Sequence, residues 1–195
     1  MSATLPTEVL RLKRYLIGVV GDVKLEETKR KLAVSLGQHL IDANYRIVSG
    51  GHGDLAKALA EGARKSSLYR DGDLVSILPG LDPSVADEYS DITIATGIDH
   101  ARNLIVANSD VVIAIGGGAG TLSEIAFAWA LKRLILAYHV DGWSGKLAGT
   151  RIDTRNRYPE LLDDQIYPVH NAKEVIAYLA KLVPKYNNRH TRIIV

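Results

Sequence analysis

A run of apolar residues, Val111-Val112-Ile113-Ala114-Ile115, leads directly into Gly116-Gly117-Gly118-Ala119-Gly120-Thr121. An unbroken β-branched run without polar alternation suits a strand buried on both faces, as in parallel sheets. The segment from Thr121 to Leu131 carries apolar residues at helical spacing. Strand, glycine turn and helix N-terminus together form an anion receptor. Glycines allow close backbone approach, the first helical N–H groups are unpaired, and the helix dipole favours negative charge. An anionic, nucleotide-like ligand is therefore expected at Gly116–Thr121. The same arrangement also serves to pack a strand on a helix with no ligand, and that reading stays open.

The pattern recurs along the chain. Tyr15 to Val20 reads as a first strand ending at Gly21. An amphipathic helix follows from Leu25 to Ala43, with Leu32, Leu36, His39 and Leu40 on its inner side and Asn44 as terminator. Arg46–Ser49 is a second strand entering Gly50-Gly51-His52-Gly53, after which Asp54 can cap a helix reaching about Arg64. Leu74–Leu78 and Ile92–Ala95 are further strands, with a loop over 83–90 between them. A helix ends near Asn108, and Leu134-Ile135-Leu136 gives another strand. Residues 138–156 read as irregular, and Ile166–Val169 as an edge strand because of Pro168. Asn171 caps a closing helix that runs to Leu182.

Strands alternating with helices imply right-handed crossovers and a parallel sheet covered on both faces. The expected fold class is α/β: a Rossmann-like three-layer sandwich with a mainly parallel sheet and helices on both faces. A single domain spans 1–195, with a mobile leader (1–13) and a mobile basic tail (185–195). Ligands on such sheets bind at strand carboxyl ends near a topological switch point. The turns after Val20, Ser49 and Ile115 should therefore share one rim.

Composition narrows the function classes. Net charge is +2, from 24 basic and 22 acidic residues, which gives no reason to expect nucleic acid as a partner. With no cysteine, disulfides, thiol nucleophiles and thiolate metal sites are excluded. The six histidines show no metal-ligand spacing, so no metal is expected. No apolar run approaches the ~20 residues of a membrane span. The basic residues Arg11, Lys13 and Arg14 precede an apolar run too short for a signal peptide, so a cytoplasmic location is expected.

Two nucleotide motifs fail. Gly145-Lys146 is followed by Leu147 rather than Ser or Thr, so there is no P-loop. The second strand ends at Ser49-Gly50 without the acidic residue that holds a dinucleotide ribose.

The combination resembles another group. Gly116-Gly117-Gly118-Ala119-Gly120-Thr121-Leu122-Ser123-Glu124 is similar to the Pro-Gly-Gly-x-Gly-Thr-x-x-Glu motif of the LOG family, once called lysine-decarboxylase-like and part of the SLOG superfamily. Ser49 to Leu55 resembles that family's first glycine motif, and Ile77-Leu78-Pro79-Gly80 falls in place. His100-Ala101-Arg102-Asn103 sits where the family carries an Arg-Lys pair. The resemblance covers roughly residues 15 to 137. The Arg-Asn version and the stretch Gly142-Trp143-Ser144-Gly145-Lys146-Leu147-Ala148-Gly149 look closer to a branch that includes proteins similar to molybdenum cofactor carriers.

The resemblance implies a Rossmann-like homodimer or higher homo-oligomer that binds a small phosphorylated ligand. In LOG enzymes it further implies cleavage of the N-glycosidic bond of nucleoside 5′-monophosphates to base and ribose 5-phosphate. In the carrier branch it implies bound nucleotide or molybdenum cofactor without turnover. No cofactor is required for the chemistry. Gly116 replaces the family proline, which loosens the turn while keeping the phosphate donors. Asn103 replaces the lysine and removes a positive charge beside the expected site, so the ligand class carries over more fully than the hydrolase activity.

The expected phosphate and ligand residues are Gly50, Gly51, Gly53, Gly117, Gly118, Gly120, Thr121 and Asn103. The expected catalytic residues are Arg102 and Glu124. Glu124 suits a ribose hydroxyl or an oxocarbenium-like transition state better than a phosphate. Thr121-Leu122-Ser123-Glu124 is equally a capping box. Arg102 is either a bidentate clamp on the ligand or a surface partner of Asp99. Asn103 either offers its amide to the ligand or caps the local backbone. His52 is expected to be a turn residue. Ala126, Ala128 and Ala130 would let a second copy approach closely, with Phe127 and Trp129 beside them. Trp143 to Lys146 is either a lid over the site or a solvated loop.

Overall fold

The apolar run opening the glycine turn is a strand, β5 (Val111–Ile115), and all of its residues are buried. The computed structural model describes residues 14–86 and 88–188. In chain order these form β1 (Leu16–Gly21), α1 (Glu27–Asp42), β2 (Arg46–Ser49), α2 (Gly53–Ala63), β3 (Leu74–Leu78), β4 (Ile92–Ala95) and α3 (Asn103–Ala107). After β5 come α4 (Ala119–Ala130), β6 (Leu134–Tyr138), α5 (Trp143–Leu147), β7 (Tyr167–Val169) and α6 (Ala172–Leu182).

The strands form one 7-stranded sheet in the order β4-β3-β2-β1-β5-β6-β7. Every pairing among them is parallel. The fold is therefore the expected Rossmann-like α/β sandwich. The chain runs outward from β1 to β4 on one side and then returns to β5 on the other. This reversal places the topological switch point between β1 and β5, where the loops leaving the two strands diverge and open a crevice. Pro168 lies in β7 at the sheet edge, where its missing N–H costs no ladder bond.

Side chains alternate into two cores. One contains Ile17, Val19, Ile113 and Ile115 with Leu36 and Leu40 of α1, Leu59 of α2 and Leu179 of α6. The other contains Val20, Val112 and Ala114 with Val106 of α3 and Ile125 and Trp129 of α4. Helices thus cover both faces.

α1 and α2 meet backbone to backbone. A Cβ at Gly62 would lie 1.8 Å from the Val34 carbonyl oxygen, and one at Gly37 would lie 2.2 Å from that of Leu59. Alanine normally stabilises a helix interior by about 1 kcal/mol over glycine. Here the overlap dominates, and Gly62→Ala is expected to cost about 1–3 kcal/mol net. A thermal melt should show a drop of about 2–4 °C per kcal/mol for a domain of this size. An unchanged melting temperature would mean that the two helices can separate freely.

Several local expectations are corrected. The segment read as irregular contains α5, a single turn that short-range periodicity cannot reveal. The loop over 83–90 includes a 3-10 turn at Pro83–Ala86. The helix before Asn108 is a 3-10 turn at Asp99–Arg102 followed by the short α3. Asp54 does not cap α2: the helix begins at Gly53 with His52 at its N-cap, and the Asp54 carboxylate instead accepts the Leu25 N–H at 3.0 Å. Asn171 does cap α6, accepting the Glu174 N–H at 3.0 Å. The expected mobile tail starts with ordered packing, since Tyr186 is buried and donates its hydroxyl to Asp164 at 2.6 Å. The leader 1–13 and residues 189–195 lie outside the described residues.

Candidate functional site at the switch point

The carboxyl ends of β1, β2 and β5 share one rim, as the spacing of the glycine turns requires. Between them opens a cleft of about 220 Å³. Its walls come from Val20 to Val23 at the end of β1 and just beyond it, Ser49, Gly50 and His52 at the end of β2 and just beyond it, and Gly118, Gly120, Thr121 and Glu124 at the start of α4. Leu55 and Ala56 of α2 add an apolar wall, and His100 and Arg102 close the remaining side.

α4 begins at Ala119 with Gly118 at its N-cap, and Gly118 has no side chain or neighbour obstructing the approach to the helix end. The first turn of α4 has backbone donors without intrahelical acceptors. This end of α4, where the helix dipole is positive, lines the cleft at Gly118, Gly120 and Thr121. Thr121 fixes this end in place: its hydroxyl donates to the Gly21 carbonyl at 3.1 Å, tying α4 to the end of β1.

Glu124 projects from the second turn of α4. Its carboxylate meets Arg102, with Nη1 to Oε1 at 3.1 Å, and both side chains are less than a tenth exposed. Arg102 reaches this position because Gly50 has no side chain; a Cβ there would lie 2.6 Å from both terminal guanidinium nitrogens. Arg102 Nε, also buried, has no hydrogen-bond partner among the described residues. Burial pushes the Glu124 carboxyl up to about 7, with the charge and hydrogen bond of Arg102 opposing the shift. Burial lowers the Arg102 pKa from its ordinary value, with Glu124 opposing.

This geometry resolves the alternatives left open by the residues. Glu124 is not a helix cap: it lies too far into α4, and its carboxylate binds Arg102 rather than the Thr121 N–H. Arg102 is a buried partner of Glu124 rather than a surface partner of Asp99. Asn103 is placed behind the cleft wall. Its amide donates to Ser123 Oγ at 2.8 Å, which ties α3 to α4. Gly51, Gly53 and Gly117 also stand behind the wall. A Cβ on Gly51 would meet Ser76 and Leu78, one on Gly53 would meet Val23, and one on Gly117 would meet Thr121. Gly50, Gly118, Gly120 and Thr121 line the cleft directly. His52 is a turn residue, its Nδ1 lying 2.9 Å from the Gly50 carbonyl oxygen.

Two charged residues escaped the sequence reading. Asp22 lines the cleft, and Lys29 of α1 binds its carboxylate at 2.7 Å close to Gly116. The signal for Asp22 was its place directly after a strand that ends at the rim. Lys29 bonds that carboxylate and is only 11% exposed.

A parallel doubly wound sheet with a cleft at its switch point, lined by a helix N-terminus and by a buried Arg–Glu pair that the same helix shares, defines a Rossmann-type ligand-binding protein. The model of the SLOG cluster4 family matches residues 14–175, and the chain belongs to that family. An uncharacterised protein of Archaeoglobus fulgidus is 36% identical over 118 residues, covering 60% of this chain and 75% of that protein. The structure of a molybdenum cofactor binding protein from Rippkaea orientalis aligns with a TM-score of 0.71 at 28% identity, over 88% of this chain and 99% of that one. The molybdenum cofactor carrier protein of Chlamydomonas reinhardtii shares the fold, with a TM-score of 0.69 at 24% identity over 89% and 99% of the two chains.

Proposed function

We propose that this protein binds a small phosphorylated pterin- or nucleotide-type ligand at the switch-point cleft and holds it without turnover. One observation carries the reading: the open N-terminus of α4 faces the same cleft as the buried Arg102–Glu124 pair. The phosphate would sit on the backbone donors at Ala119–Thr121, where a helix end is suited to an anion. The ring system would lie against Val20, Leu55 and Ala56. Arg102 and Glu124 would hold the polar groups between. The placement of Asn103 supports binding over hydrolysis, since this side chain is occupied with Ser123 and adds no positive charge to the cleft. The molybdenum cofactor binding protein of Rippkaea orientalis supports molybdenum cofactor as cargo. Native mass spectrometry with molybdenum cofactor, its metal-free pterin and AMP tests the proposal. Retention of at least one is expected, and binding of none would overturn it.

The Glu124 carboxyl supports a second reading, cleavage of the N-glycosidic bond of a nucleoside 5′-monophosphate. A carboxylate stabilises oxocarbenium character at the sugar. Release of free base from a panel of nucleoside monophosphates is the test, and the absence of release from every member would exclude it.

Either reading has a consequence for protons. An anion bound beside Glu124 raises its pKa above the present value of about 7. Ligand uptake near neutral pH is therefore expected to draw in protons. Titration calorimetry of AMP binding in buffers of different ionisation enthalpy would measure this, and Glu124→Gln should remove the dependence.

A homodimer forming on the α3–α4 face also belongs to this proposal. Of the residues expected along that approach, Ala128 and Trp129 are buried in the protein's own core, whereas Ala126 is half-buried and Ala130 exposed. Exposed large apolar residues on α3 and α4 are Leu104, Ile105 and Phe127. Light scattering on a Phe127→Glu variant would test the pairing.

A further inference from the structure

Neither reading gives a role to α5, which bonds the glycine turn before α4. Its first two N–H groups donate to the glycine turn: Trp143 N–H to the Gly117 carbonyl at 3.0 Å and Ser144 N–H to the Gly116 carbonyl at 2.9 Å. The Ser144 side chain completes the clamp. Its Oγ accepts the Gly116 N–H at 2.7 Å and donates to the Tyr138 carbonyl at 2.7 Å. Ser144 is fully buried. Gly142 lets α5 come this close, since a Cβ there would lie 2.6 Å from the Gly116 carbonyl carbon.

These bonds orient the turn. A phosphate at the helix end is repelled by any carbonyl aimed at it, so a receptor must present donors and turn its acceptors away. Gly116 and Gly117 both adopt left-handed backbone, with φ of 66° and 97°. This conformation directs their carbonyls to α5, leaving the N–H groups of α4 to the cleft. Proline at the first position would be confined to φ of about −65° and would have no N–H to donate. Gly116 uses both properties that proline lacks. It is fixed by Ser144 rather than loosened.

We infer that Ser144 is a positioning residue for phosphate recognition: its Oγ pins the Gly116 N–H and so keeps the turn in the conformation in which the Gly116 and Gly117 carbonyls bond the N–H groups of Ser144 and Trp143, leaving the α4 N-terminus to present only donors to a phosphomonoester. The inference rests on the reading of this helix end as the phosphate site.

The test compares AMP with adenosine by titration calorimetry, together with NMR exchange of the Gly116 amide, in wild type and Ser144→Ala. AMP affinity should fall about tenfold, the effect of one lost hydrogen bond that orients a charged contact. Adenosine affinity should stay level, and the Gly116 amide should exchange faster. A general loss of structure would weaken AMP and adenosine together and would overturn the inference, as would unchanged AMP affinity. If alanine lowers the melting temperature, Ser144→Cys keeps the volume with a weaker acceptor and should give the same AMP-selective loss. Failure of the wild type to bind AMP or inorganic phosphate would overturn the phosphate reading, and this inference with it. Gly116 exchange would still report separately whether Ser144 pins the turn.

Discussion

Gly118→Asp is expected to abolish phosphate binding while leaving the protein as stable as the wild type or slightly more so. Gly118 is the N-cap of α4, its φ of −98° is open to any residue, and a Cβ there meets nothing within 4 Å. Aspartate is among the best N-cap residues, gaining a few tenths of a kcal/mol over glycine from its bond to the first-turn N–H groups. Its charge at the positive helix end adds about 0.3–1 kcal/mol. Those same N–H groups are the proposed phosphate donors. The new carboxylate would occupy them and repel the incoming anion, with an expected loss of at least about 100-fold, or about 2.7 kcal/mol. Calorimetric titration with AMP and a thermal melt measure the two effects. Retained AMP affinity with an undisturbed fold would show that the glycine turn only packs strand on helix.

Arg102→Met should have the largest effect on stability, and that effect should depend on pH. The replacement keeps much of the side-chain volume but leaves Glu124 buried without its counter-charge. Removing one partner of a buried pair costs about 3–5 kcal/mol when the other stays charged. Glu124 has a folded-state pKa raised from 4.5 to about 7. The folded protein therefore binds more protons at this site than the unfolded chain, and its contribution to stability declines as pH rises through that window. Without Arg102 the pKa climbs further, and the window extends upward. At about pH 5.5 the carboxyl is neutral in the variant, and the cost should shrink toward that of an imperfect hydrogen bond, about 1–3 kcal/mol. At about pH 8 the charge must be either buried alone or neutralised against the solvent pH, and the full cost should appear. Denaturant unfolding at the two pH values measures the difference. An equal loss at both would mean that Arg102 contributes packing rather than charge. Glu124→Gln combined with Arg102→Met should recover part of the stability at the higher pH.

These two predictions concern two features of one cleft, and the features were unequally legible in the sequence. The glycine-turn wall is local: Val111 to Glu124 contains the strand, the turn and the helix start within one continuous segment. The periodicity of apolar residues fixed their types, and the order of strands and helices implied a parallel sheet. The Arg102–Glu124 pair is not local, since its members are 22 residues apart and meet only because α3, which follows directly on Arg102, packs with α4 on the same face of the sheet. The sequence marked each residue but left the partner of Arg102 open between ligand and Asp99. It left Glu124 open between site and cap.

Asn103 shows the limit in the other direction. By sequence position it stands beside Arg102 and so beside the cleft. Along the first turn of a helix, successive side chains point in very different directions, and Asn103 faces Ser123 while Arg102 faces Glu124.

By itself, then, the sequence determined the alternation of strands and helices, the parallel α/β class, the gathering of three glycine turns on one rim and the start of a helix at that rim. Each follows from periodicity or from a backbone requirement met within a few neighbouring residues. Tertiary structure decided which of those glycines reach the cleft, that Glu124 and Arg102 form a buried pair, that Asn103 turns away and that Ser144 holds the turn. Contacts of this kind join segments far apart in the chain, and their geometry is set by how helices seat on the sheet, a property that no single segment carries.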